Sequence, residues 1–396
     1  MLQKERSFQY IKYLFVLLLF GMCTILFYRQ TEPYSGLYIS DLPEHISAGI
    51  NNKSYSLLNI TMGVLHRLTH SYFSIALLES AIVIFTVLWA EKYIRQYFTL
   101  DKIQAFCIAV ALLFLCSFYV PFPGQYIYKH SLVTQPWHNI TYLGMRLFSI
   151  PIFFCTLEII DCYKTNFTWK HWFRIAVPLL MGTSIKPSVM VDYSLALLCI
   201  LIFDFISDVV KGRLTVDAFL RYVWLGTAVF PACAILLYQM LYLFGEQDGV
   251  SSSSGIAVVL LSSPFFADGC IQTIVRLIRE TAFMVVCFIW MHKSFSKRDK
   301  FVYLLWIVTL FQIVILTETG PRAAHGNLTW GIHNVSYLLF AYLVPLLVKH
   351  VQSSPWKTKC RRDRCYAVIC AVLLSMHLLT GIYYFSEILQ GAFYYF

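Results

Sequence analysis

Residues 71–90 read SYFSIALLESAIVIFTVLWA, twenty positions carrying a single charge, Glu79. About 20 apolar residues, at roughly 1.5 Å of rise each, cross the ~30 Å hydrocarbon layer of a bilayer. This stretch therefore predicts a membrane-spanning helix, and the rest of the chain repeats the pattern. Comparable apolar runs lie at about 10–28, 103–120, 140–160, 173–186, 189–206, 222–244, 273–291, 301–317, 331–349 and 366–385. The expected class is all-α: a polytopic transmembrane helical bundle of about eleven spans, forming a single integral membrane domain over 1–396.

Composition agrees with lipid as the solvent. Of the residues, 58% are hydrophobic and 13% charged, and mean hydropathy is +0.64, too little charge to cover a water-soluble surface. The 32 Phe, 26 Tyr and 9 Trp suit the lipid–water boundary. A net charge of +10 could suggest nucleic acid, but the basic residues sit in short segments between apolar runs, where they set topology. The expectation is no nucleic-acid partner. Most of the 12 Cys lie inside apolar runs, among them Cys107, Cys116, Cys155, Cys199 and Cys287, where a thiol behaves as a small hydrophobe. Cysteine and histidine spacing resembles no zinc site, so neither disulfides nor a structural metal is expected.

Lysine and arginine bias fixes the expected orientation. With the N-terminus cytoplasmic and the spans alternating, the inner segments collect Lys4, Arg6 and Lys12; Lys92, Arg95 and Lys102; Lys164, Lys170 and Arg174; Lys211, Arg213 and Arg221; Lys293, Lys297, Arg298 and Lys300; and Lys349, Lys357, Lys359, Arg361, Arg362 and Arg364. The C-terminus then lies outside. The first apolar run is followed by Tyr28-Arg29-Gln30, bulky and polar, so it reads as an uncleaved span and not as a signal peptide. The first outer loop, 29–70, carries an acidic motif, and 245–272 is the longest later outer loop. Its apolar patch Ile256–Leu261 suits the membrane surface or a re-entrant segment.

The basic residues that break the inner bias, and their neighbours, gather on the outer side. Ser40-Asp41-Leu42-Pro43-Glu44-His45 reads either as a capped surface helix running to about Gly49 or as a carboxylate held just above the membrane. Gln135-Pro136-Trp137-His138-Asn139-Ile140-Thr141 precedes Arg146, an intramembrane cation that either snorkels to the interface or faces a polar cavity or partner. Glu79 is its candidate partner. Lys186 sits in a helix break, Gly182–Ser188, that is either a simple turn or the lining of a cavity. Arg276 and Arg279, at i and i+3, place two guanidinium forks on one helix face, suited to phosphate; the plainer alternative is an Arg276–Glu280 pair. Glu318-Thr-Gly-Pro-Arg322-Ala-Ala-His325-Gly-Asn327-Leu-Thr-Trp330-Gly331 is unusually dense in polar groups and in Gly, which permits close backbone approach to a ligand; a tight, Asn-capped connector is the alternative.

The acidic residue in the first outer loop, the amphipathic stretch that follows it to about His70, and the later outer-loop Arg and His together resemble the GT-C class of integral membrane glycosyltransferases, which use polyprenyl-phosphate-linked sugars. The resemblance covers the general layout of the chain. It implies a transferase of cell-envelope polysaccharide biosynthesis in a bacterial plasma membrane, with its active site on the extracytoplasmic side. The partners would be the lipid bilayer, a polyprenyl-linked sugar donor and a glycan, lipid or protein acceptor. Asp41 would be the general base, and Lys186, Arg276, Arg279 and Arg322 would neutralise the phosphate. His325, Asn327 and Trp330 would orient sugar or acceptor, with Glu44, His45, His138, Asn139, Arg146 and Glu318 completing the substrate site. No cofactor is required by this chemistry, with a divalent cation at the phosphate left open. Two other readings share the layout: a polymerase or ligase of lipid-linked glycans, and a lipid-linked-sugar flippase or transporter, which should line a path through both leaflets.

Overall fold

The structure, a computed structural model, describes residues 2–34, 36–122, 127, 137, 139–244, 255–292, 295–319, 329–353 and 355–392. Most of the described chain is helix. The order is α1 (Leu2–Arg29), α2 (Leu42–Ile50), α3 (Leu57–Thr69), α4 (Tyr72–Phe98), α5 (Lys102–Leu113), α6 (Ile140–Ile159), α7 (Trp169–Ile185), α8 (Ser188–Val210), α9 (Val216–Thr227), α10 (Phe230–Phe244), α11 (Cys270–Met291), α12 (Lys297–Ile315), α13 (Thr329–Gln352) and α14 (Arg361–Leu389). Every apolar run of the sequence carries helix. Among the described residues seven helical stretches are long and apolar enough to cross a membrane: Ser7–Arg29, α4, α6, α8, Val216–Leu241, α13 and α14. Of the other four runs, α5 and α7 are short, α11 contains Arg276, Arg279 and Glu280, and α12 opens on Lys297-Arg298-Asp299-Lys300.

The run at 103–120 departs from a simple span. Helix α5 stops at Leu113, and Phe114–Phe122 is irregular. Irregular backbone inside a bundle must find partners in protein, and α14 supplies them: Cys116 N–H donates to the His377 carbonyl at 3.3 Å, and the Cys116 carbonyl bonds His377 Nδ1 at 2.5 Å. A second departure from all-helix is a two-stranded antiparallel ribbon. Strand β1 (Gly255–Val258) pairs with β2 (Leu316–Thr319), with Gly255 opposite Thr319 and Val258 opposite Leu316. The apolar patch at Ile256–Leu261 thus forms an exposed edge, with Val258 and Leu260 each more than two-thirds exposed.

Helices α6 and α13 form the centre. In each, 89% of the most apolar window is buried by protein, against 28% for α1 and 22% for α14. Polar groups on α6 and α13 therefore face other helices, while the outer faces of α1 and α14, with Leu14, Leu17, Leu18, Val368 and Leu379, are apolar and uncovered. A water-soluble protein rarely exposes such continuous patches, whereas lipid accepts them.

Helices α2 and α3 make a short hairpin tucked against α4, α6 and α7. Its closeness depends on two glycines: a Cβ at Gly49 would stand 1.9 Å from the Asn59 carbonyl oxygen, and one at Gly63 would stand 2.2 Å from that of Gly49. Backbone meets backbone there, so no side chain can yield. Gly63→Val is expected to lower stability by at least about 1–3 kcal/mol, the usual cost of overpacking, read as a fall in Tm of the purified protein in detergent.

Candidate functional site

The loops split between two ends of the bundle. One end holds α2, α3, the start of α6, the α7–α8 junction and the start of α13. The other gathers ion pairs: Lys12 with Glu91, Lys164 with Asp208 at 2.7 Å, Arg174 with Glu158 at 2.6 Å, and Lys297 with Asp204. Burial works against the Lys164 ammonium, but hydrogen bonds to Asp208 and Tyr222 outweigh it and raise its pKa. Burial, followed by the hydrogen bond to Asp204, raises that of Tyr163.

At the first end, Asp41 occupies the N-cap position of α2 without capping it. The Leu42 N–H is taken by the Ser40 hydroxyl at 3.1 Å. An Asp at this position normally accepts from the first turn. Here its Oδ2 instead accepts from Asn139 Nδ2 at 2.7 Å and lies 3.6 Å from His45 Nε2. The Asn59 amide meets His45 Nδ1 at 3.1 Å. With the amide donating, the ring proton sits on Nε2, facing the carboxylate. The Asp41 and His45 side chains keep 26% and 23% exposure, although the Asp41 Oδ1 atom itself is buried. Glu44, one residue before His45, is exposed.

Asn139 links this carboxylate to a cation. Its Oδ1 caps α6 by accepting from Tyr142 N–H at 2.9 Å and also accepts from the Thr141 hydroxyl at 3.0 Å. Thr141 in turn accepts from Lys186 Nζ at 3.1 Å, and Nζ stands 4.3 Å above the Trp330 ring. Lys186 occupies the two-residue break between α7 and α8, where its extended backbone ends α7; Ser56 donates to the freed Ile185 carbonyl at 3.0 Å. One continuous hydrogen-bonded path therefore runs from Lys186 through Thr141 and Asn139 to Asp41. A cation on an aromatic face and a carboxylate are thus linked through two intervening side chains at one end of the bundle, groups of the kinds that take a proton from a hydroxyl and balance an anionic leaving group.

Arg146 lies deeper on α6 and does not snorkel. It is 1% exposed, with its guanidinium 4.4 Å from the Tyr142 ring and 4.3 Å from the Tyr337 ring, a double cation–π contact. Tyr142 donates to the His333 carbonyl at 2.8 Å. Glu79 does not partner Arg146: it is fully buried, and neither carboxylate oxygen is hydrogen-bonded among the described residues.

Arg276 and Arg279 are the largest displacement from expectation. Both are buried, at 1% and 0% exposure. Arg276 bonds the Phe265 carbonyl at 2.7 Å and pairs with Asp268, which stands in place of the alternative pair with Glu280. Arg279 reaches Glu280 at 3.2 Å, and Glu280 also accepts from the Ser117 hydroxyl. Glu318 lies in β2 opposite Ile256, 8% exposed. His138, Arg322, His325 and Asn327 lie outside the described residues.

Sequence reading passes over Asn59 and Tyr337. Asn59 lies on the buried face of α3 with Leu58, Met62 and Gly63, and that periodicity was a usable signal for an inward-facing amide. Tyr337 had none, since every position of α13 from Gly331 to Pro345 is buried. No protein-family model matches the chain, and no curated protein matches its sequence.

Proposed function

We propose that this protein is a membrane glycosyltransferase that moves a sugar from a polyprenyl-phosphate donor to an acceptor hydroxyl. Asp41 acts as general base and Lys186 faces the phosphate. The observation that carries this reading is the Asp41 carboxylate, freed from helix capping and held by Asn139, in one hydrogen-bonded path with Lys186. In the reaction the acceptor oxygen bonds to the anomeric carbon, the bond from that carbon to the phosphate oxygen breaks, and Asp41 receives the hydroxyl proton. The phosphate leaves with an added negative charge, which Lys186 offsets. Trp330, whose ring carries the Lys186 ammonium, would orient the sugar beside that cation. Arg276 and Arg279, each already engaged by a carboxylate, are assigned to bracing the 265–268 segment and, through Glu280, the Ser117 side chain; Arg322 remains a second candidate for the phosphate.

This reading takes about eleven crossings, counting α5, α7, α11 and α12 with the seven long apolar stretches. The N-terminus and the ion-paired end are cytoplasmic, and the C-terminus and the Asp41 end are extracytoplasmic, in a bacterial plasma membrane. Nucleotide sugars are cytoplasmic, so an outward site calls for a lipid-delivered donor. A transporter reading draws support from Glu79, a fully buried carboxylate in the first third of α4, since a path through both leaflets would need polar groups inside the membrane.

Purified protein in liposomes with radiolabelled polyprenyl-phosphate sugars tests the choice. Label passing covalently from lipid to acceptor supports transfer, and label crossing the bilayer still on its lipid would replace it with transport. Lys186→Met is expected to raise KM for the donor and lower kcat/KM by about 10–100-fold, in line with ~1.5–3 kcal/mol for a charge-assisted contact.

A further inference from the structure

Between α6, α8, α12 and α13 lies a cavity whose polar lining is Ser149, Asp192, Tyr193 and Asn334, the remainder being apolar. Its hydrogen bonding is one-sided. Ser149 donates to the Met145 carbonyl at 2.9 Å, so Asn334 must approach it with its amide nitrogen, at 3.0 Å. Thr156 donates to the Ile152 carbonyl at 2.8 Å, so the Tyr193 hydroxyl, 2.6 Å from Thr156, directs its proton there. Gln312 donates to Asp192 Oδ1 at 3.2 Å. Gln312 apart, the hydroxyls near these groups point elsewhere, that of Thr309 included, which lies by Asp192 but donates to the Leu305 carbonyl at 2.8 Å. What remains without a hydrogen-bond partner is Asp192 Oδ2 and Asn334 Oδ1, on side chains each 3% exposed.

Two oxygen acceptors with no donor, one of them on a carboxyl group, call for a positive partner: burying an uncompensated carboxylate costs several kcal/mol. Two contacts would suit this carboxyl in the charged form that a bound cation holds. Gln312 donates to it, and it lies against the first turn of α13, where a Cβ on Gly331 would stand 2.2 Å from Oδ2, at the positive end of the helix. A single carboxylate balances one charge. Among the described residues no group of three His, Cys, Asp or Glu side chains is placed to hold a metal, as a site for a multivalent ion would usually require.

We infer that this cavity binds one monovalent alkali cation, Na+ or K+, through Asp192 Oδ2 and the Asn334 side-chain carbonyl. The ion would tie α8 to the start of α13, next to Trp330, and the inference holds whichever reaction the protein performs.

The test is thermal unfolding of the full-length protein in detergent, followed by tryptophan fluorescence. NaCl or KCl is titrated against N-methylglucamine chloride at constant ionic strength. Expected is a saturable rise in Tm of roughly 3–5 °C at 100 times the dissociation constant, with the more effective salt naming the ion. The rise should vanish in Asp192→Asn and weaken in Asn334→Ala. Binding of radioactive 22Na+, or of 86Rb+ in place of K+, gives a second readout, expected in the parent protein and lost in Asp192→Asn. A Tm indifferent to cation identity, a Tm that responds to pH alone, or a rise that persists in Asp192→Asn would each overturn the site.

Discussion

Replacing Asp41 by Asn is expected to lower the transfer rate by about 10²–10⁴-fold, the range usual for a lost general base, while Tm and detergent-column elution stay unchanged. The fold is insensitive because Asp41 does not cap α2: Ser40 holds the Leu42 N–H, and an Asn side chain can turn its carbonyl toward the Asn139 amide and keep that hydrogen bond. What the substitution removes is the ability to take a proton. The loss should therefore fall on kcat with KM for the donor little changed, the pattern of an interaction made in the transition state. Lys53→Gln is the control. Lys53 is exposed in the turn between α2 and α3, and its replacement should alter the rate less than about threefold, under ~0.7 kcal/mol. Initial rates with a radiolabelled donor measure both.

Arg279→Met is expected to destabilise the protein by about 3–5 kcal/mol, the cost of stranding one member of a buried ion pair. The Arg279 and Glu280 side chains are both 0% exposed, so water cannot solvate the Glu280 carboxylate once its guanidinium is gone. That carboxylate also receives the Ser117 hydroxyl, which anchors the irregular backbone after α5, so the damage should spread to that segment. The double variant Arg279→Met with Glu280→Met removes both charges and should recover most of the loss. Thermal melts of the two variants measure the difference. A double variant no more stable than the single one would mean that the pair serves by shape and not by charge balance.

The spans were legible because lipid demands a signal that local sequence carries. An apolar run as long as 71–90 suits a bilayer and little else, and each such run carries helix. The gathering of Asp41, His45, Asn139, Lys186 and Trp330 at one end followed from alternating the spans, since that alone assigns their loops to a common side. Other features were hidden because they depend on which residues meet across long separations. The Asp41 carboxylate turning from its own helix to Asn139, 98 positions away, is a tertiary choice that capping preference cannot foretell. Arg276 takes Asp268 in place of Glu280 because the chain entering α11 folds back beside it. Arg146 and Glu79 read as natural partners by charge, yet aromatic rings supply the Arg146 environment. The irregular stretch after Leu113 and the β1–β2 ribbon were missed for a similar reason: hydropathy reports burial in lipid or protein and is silent on backbone conformation.

The most direct test of where the donor binds is photolabelling of the purified protein with a polyprenyl phosphate bearing a photoreactive group beside the phosphate, with the labelled residues mapped by mass spectrometry. Expected is labelling at the start of α2, at 139–142, around Lys186 and at the start of α13, competed by unlabelled polyprenyl phosphate and reduced in Lys186→Met. Saturable labelling confined to the opposite end, around Lys164, Asp208 and Lys297, would contradict it.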